Sequence, residues 1–73
     1  MYKIYEIFGE TKEVIGEFDT FKLAYNQAHR LASKECKELN EIGYYYIDRT
    51  IENEINIIDF DNAQVYKIYL IEE

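Results

Sequence analysis

Residues 19–43, DTFKLAYNQAHRLASKECKELNEIG, decide how this chain folds. Phe21, Ala24, Tyr25, Ala28, Leu31, Ala32, Cys36 and Leu39 recur at intervals of three and four, an apolar stripe along about twenty residues of α-helix. Asp19 stands where an N-cap is wanted, and with it as cap Phe18 and Leu23 occupy the two positions of a hydrophobic staple. At the other end Asn40 and Gly43 supply helix-stop chemistry, and Lys34 and Lys37 suit the negative end of the helix dipole. Ala24, Ala28 and Ala32 are small enough to let the helix lie close against a sheet.

The flanks on both sides read as that sheet. YKIYEIF at 2–8 and EVIGEF at 13–18, with GETK between them, form a β-hairpin pattern. After Gly43 come YYYIDRTI at 44–51, INIIDF at 55–60 and QVYKIYLI at 64–71, joined by the short polar segments ENE and DNA. The expected architecture is an α+β domain, a largely antiparallel β-β-α-β-β-β sheet with one helix packed on one face. The 73 residues allow a single domain, 1–73, with a thin stability margin and no internal disulfide from its lone cysteine.

Alternation along the strands leaves too much apolar surface for one helix. In the last strand Tyr66, Ile68 and Leu70 point one way and Val65, Tyr69 and Ile71 the other, with Lys67 the polar exception. In the first, Tyr2, Ile4 and Phe8 oppose Tyr5 and Ile7. Five strands span about 24 Å and a helix about 10–12 Å, so further cover is required. Self-association is the reading favoured for Tyr5, Ile7, Val65, Tyr69 and Ile71, giving a homodimer.

Charge is unevenly divided. The formal net charge is −7, from fifteen acidic and eight basic side chains. Within residues 20–39, four bases (Lys22, Arg30, Lys34, Lys37) outnumber Glu35 and Glu38, for +2, and the remainder of the chain carries −9. Glu10, Glu13 and Glu17 fall on the first hairpin, with Glu13 and Glu17 on one strand face either side of Ile15. Glu52, Glu54, Asp59 and Asp61 surround the third and fourth strands. Such a surface disfavours direct nucleic-acid binding, and the tyrosine run at 44–46 has no basic stripe or RNP1 pattern beside it.

Catalytic chemistry finds little footing. His29 and Cys36 share a helix face, but seven residues of helix separate them by about 10.5 Å, too far for a thiol–imidazole dyad. One His and one Cys cannot complete a structural zinc site. DFDNA at 59–63 opens like a calcium loop, yet Gln64 and Leu70 stand where that loop needs Gly and Glu. Gly9, Gly16 and Gly43 are isolated, so no phosphate-binding loop exists. The expectation is a non-enzymatic protein without metal or cofactor. No apolar run reaches the ~20 residues of a membrane span, and the lone thiol suits the cytoplasm.

The function expected from these features is a protein-interaction module that docks onto a partner with a basic surface. Glu13, Glu17, Tyr45, Glu52, Glu54, Asp59, Asp61 and Tyr69 are the candidate contact residues. In size and charge the chain is similar to small acidic phage proteins that block host nucleases or polymerases, and that resemblance implies an inhibitor or regulator. Two alternatives stand beside it. In one, an oligomer stacks a nucleotide-like ligand on tyrosines, with Arg49 or Lys67 near its charge. In the other, the chain is a structural assembly subunit.

Overall fold

A computed structural model describes all 73 residues. Strand β1 (Tyr2–Phe8) turns into β2 (Thr11–Phe18), helix α1 (Phe21–Leu39) follows, and β3 (Tyr45–Asp48), β4 (Glu54–Asp59) and β5 (Gln64–Glu72) complete the chain. The five strands form one antiparallel sheet in the order β2-β1-β5-β4-β3. This is the expected α+β arrangement. β5, the last strand in the chain, is the middle one of the sheet, and α1 carries the chain from one edge, β2, to the other, β3.

The first hairpin is tighter than the sequence suggested. Phe8 pairs with Thr11, so only Gly9 and Glu10 form the turn and β2 starts two residues before Glu13. Gly9 takes φ 60°, the conformation that a type II′ turn requires at its first central position. Thr11 Oγ1 donates to the Phe8 carbonyl at 2.7 Å and closes the turn.

The helix begins one residue later than expected. Thr20, not Asp19, is the N-cap: its backbone is extended and its Oγ1 accepts from the Leu23 N–H at 3.2 Å. That shift dissolves the Phe18–Leu23 staple, and Leu23 is exposed. Ala24, Ala28, Ala32 and Cys36, each four residues apart, are buried against the sheet. Their small side chains leave room for Ile4, Ile55, Ile57, Tyr69 and Ile71 beneath the helix, and together these form the core. Asn40 ends the helix, where its N–H donates to the Cys36 carbonyl and its Oδ1 accepts from the Tyr45 N–H at 2.6 Å, so the same side chain starts β3.

β3 is only four residues long, against the eight expected. Asp48 Oδ1 accepts from both the Thr50 N–H (2.9 Å) and the Thr50 hydroxyl (2.8 Å), a local turn that competes with further strand pairing.

Two bulges reset the alternation. On β5, Lys67 pairs with Ile57 and Val65 with Ile58, leaving Tyr66 as the extra residue. Tyr66 therefore joins Tyr69 and Ile71 on the helix side, where its ring meets Phe8 and Tyr45, and Val65 joins Ile58, Ile68 and Leu70 on the opposite side. On β2, Val14 pairs with Tyr5 and Gly16 with Ile4, leaving Ile15 unpaired. Glu13 then lies opposite Glu6 on the helix side and Glu17 opposite Lys3 on the other, so the two glutamates do not share a face.

Candidate functional site

The edge strand β3 begins with consecutive tyrosines that cannot all point inward. Tyr45 turns towards the helix and packs against the core, its ring meeting Tyr66 edge-on at 5.5 Å. Tyr44 and Tyr46 stay exposed. Phe60, at the tip of the β4–β5 hairpin, donates its N–H to the Tyr44 carbonyl at 2.9 Å and sets its ring edge-on to Tyr46 at 6.2 Å. Tyr44, Tyr45, Tyr46 and Phe60 line a hollow of about 290 Å³ at the sheet edge; Tyr46 pairs with Ile58 and so faces away from the helix with Tyr44 and Phe60, opposite to the Tyr45 ring.

Carboxylates stand beside this hollow. Asp59 is the cross-strand partner of Tyr45 and Asp61 follows Phe60. Tyr45's phenol is pushed above its ordinary pKa by burial first and then by the charges of Asp59, Tyr66 and Asp61. Asp59 also organises the loop: its Oδ1 accepts from the Asp61 and Asn62 N–H groups, and its Oδ2 from the Asn62 amide at 2.8 Å. One negative group thus fixes the hairpin that carries Phe60.

Of the acidic and tyrosine residues expected to form one docking surface, the fold brings together only Tyr45, Asp59 and Asp61. Glu54 lies at the other end of β4, paired with Leu70, and Glu52 is exposed in the preceding turn. Glu13 and Glu17 sit on the far edge strand. Tyr69 and Ile71 are 3% and 2% exposed in the core, so neither can face a partner or a second subunit. Burial pushes the Tyr69 phenol up to about 12. Tyr5, Ile7 and Val65 do lie together on the face away from the helix, in company with Ile68 and Leu70. Phe60 is not among the expected site residues: it ends the strand expected at 55–60, and nothing in the sequence shows that its ring meets Tyr46.

Lys67 is withdrawn from any ligand role. It is 9% exposed, on the helix side, hydrogen-bonded to Glu35 and 3.3 Å from Glu6, with the Phe8 ring 5.4 Å away. Burial alone would lower its pKa, but the hydrogen bond to Glu35 and the surrounding negative charge outweigh it and leave the ammonium above its usual value. Arg49 stays exposed in the turn after β3. Cys36, buried beneath the helix, has its thiol pushed up by burial, with Asn40 donating a weak hydrogen bond to Sγ.

No protein-family model matches this chain, and no curated protein or solved structure matches it. No helix is long and apolar enough to cross a membrane.

Proposed function

We propose that this protein is a non-enzymatic interaction module that holds a protein with a basic surface at the aromatic hollow and the acidic hairpin beside it. The observation that carries the reading is a hollow lined wholly by aromatic residues, Tyr44, Tyr45, Tyr46 and Phe60, with the charges of Asp59 and Asp61 acting on Tyr45. Ring faces attract guanidinium and ammonium groups, and nearby carboxylates add to that attraction. An arginine of the partner would lay its plane on the rings and its charge towards the aspartates. More distant acids such as Glu52 and Glu54 would speed encounter through the long-range field without touching the partner. A module of this kind inhibits or regulates by covering a basic surface that another ligand, such as nucleic acid, would otherwise use.

The stacking of a planar, nucleotide-like ligand is the second reading, favoured by the presence of three tyrosines in one hollow. It is the weaker of the two because the walls are ring surfaces without the few converging polar groups that orient small ligands. Titration of the isotope-labelled protein with an oligoarginine peptide and, separately, with AMP distinguishes them. The peptide is expected to shift the resonances of Tyr44, Tyr46 and Phe60, to bind about tenfold more weakly to Phe60→Ala, and to be released by salt. Shifts with AMP and none with the peptide would replace the first reading by the second.

A further inference from the structure

The helix covers one face of the sheet and leaves the other bare. On that face Tyr5, Ile7, Val65, Ile68 and Leu70 form an apolar field across β1 and β5, extended onto β4 by Ile58 with Asn56 beside it. Val65 is 53% exposed and Tyr5, Ile7, Ile68 and Leu70 are half-buried, whereas Ile58 and Asn56 on β4 are already buried within the chain. We propose that this face is the interface of a homodimer in which two sheets stack face to face about a two-fold axis parallel to β5. The field adjoins the aromatic hollow, since Tyr46 pairs with Ile58, but association is read by mass and partner binding by titration, so either can fail without the other.

Three observations select a second copy of the chain. The first is area. Stacked over its whole width, edge strands included, a sheet of five strands about 4.8 Å apart and about seven residues long offers at most roughly 550 Å² per copy, or about 1,100 Å² for two, close to the ~1,000 Å² that a specific interface needs. The second is self-complementarity. β5 is the middle strand, so a two-fold axis along it stacks Ile68 and Leu70 on their own copies at the centre and closes the assembly at two. Sheets in such stacks lie about 10 Å apart, room for one interdigitated layer of side chains.

The third is charge. The flanks of the bare face differ in sign. On the β1–β2 side Lys3 and Lys12 outnumber Glu17, with Lys12 3.7 Å from Glu72, and on the β4–β3 side stand Asp48 and Glu54. Lys3 is level with Glu72 of β5 and Glu54 is level with Leu70, so both lie at the same end of the sheet, one strand to either side of β5. Rotation about β5 keeps that end and exchanges the sides, bringing Lys3 of each copy over Glu54 of the other. The bond holding Lys3 within its own chain is loose: Glu17 is 3.8 Å away and both side chains are about half exposed.

Sedimentation equilibrium on the full chain tests this. Twice the chain mass is expected for the natural sequence, and the chain mass for Ile68→Glu with its circular dichroism intact. If Ile68→Glu does not fold, Val65→Glu, at a more exposed position, takes its place with the same expected result. Lys3→Glu and Glu54→Lys should each weaken association by about tenfold, and the double variant should regain it, because reversal restores both cross-copy pairs. A natural chain that is monomeric at ~1 mM overturns the dimer. A dimer that survives the glutamate on the bare face, or a double variant no tighter than the singles, overturns this face and this axis.

Discussion

The Lys67 ammonium, projecting from the central strand, hydrogen-bonds the Glu35 carboxylate on the helix, and Glu6 of the neighbouring strand closes on the same nitrogen at 3.3 Å. Helix and sheet are thereby joined by charge at one end of a core that is otherwise aliphatic and aromatic. Removing the cation leaves two partly buried carboxylates facing each other. Lys67→Met is therefore expected to destabilise by about 1–3 kcal/mol, below the range for fully buried pairs because both acids keep about a third of their exposure. Glu35→Gln, which keeps a hydrogen-bond acceptor, should cost about 1 kcal/mol or less. Urea denaturation of the two variants checks the order.

Alkaline unfolding should begin near pH 10. Lys67 has its folded-state pKa raised, so its contribution is complete below the unfolded value and is lost as pH climbs through the folded one. Tyr69, pushed up to about 12 by burial, acts in the same direction: above pH 10 the unfolded chain ionises first and is favoured. The Tyr69 share is on the order of 2 kcal/mol when its titration in the unfolded state is complete. Stability measured from pH 8 to 11.5 should fall less steeply in Tyr69→Phe than in the natural chain.

Thr20→Ala should destabilise by about 1 kcal/mol, because it strips the acceptor from the Leu23 N–H. Asp19→Ala, one residue earlier and outside the helix, should change stability by less than about 0.5 kcal/mol. Thermal melts of the pair locate the cap; equal losses would move it back to Asp19.

Ala63 holds φ 51° in the β4–β5 hairpin, a left-handed conformation unfavourable to any side chain with a Cβ. Ala63→Gly should stabilise by about 0.5–1 kcal/mol, the relief of strain being partly offset by the greater freedom of glycine in the unfolded chain. Because Ala63 closes the loop that carries Phe60, the substitution also tests whether oligoarginine affinity depends on the rigidity of the hollow.

Element types were legible in the residue pattern because period and punctuation agreed. Alanines at four-residue spacing gave the helix its buried stripe, and polar joins separated the strands. Which side each strand residue faces was harder. A bulge moves every following side chain to the other face; Gly16 beside the extra Ile15 marks one in the sequence, whereas the extra Tyr66 carries no local mark. Alternation alone does not say which face of β1 matches which of β5: the register pairs Tyr5 with Leu70 and Ile7 with Ile68, which leaves Tyr69 and Ile71 in the core. The acidic residues are a related case: membership of the sheet and its loops suggests one acidic surface, and the strand order places Glu13 and Glu17 at one edge and Asp59 and Asp61 near the other.

The central position of β5 has a consequence for how the molecule comes together. β1–β2 and β3–β4 are each hairpin ribbons, and no hydrogen-bonded pairing joins one ribbon to the other except through β5. Pairing Lys3 with Glu72 closes nearly the whole length of the chain into one loop, a slow step compared with hairpin or helix formation. Until that ninth and last β5 residue is in place, the two ribbons have a gap one strand wide between them. A chain cut after residue 63 would therefore be a receptor for its own missing strand, and a separate peptide of residues 64–73 would restore the fold on mixing.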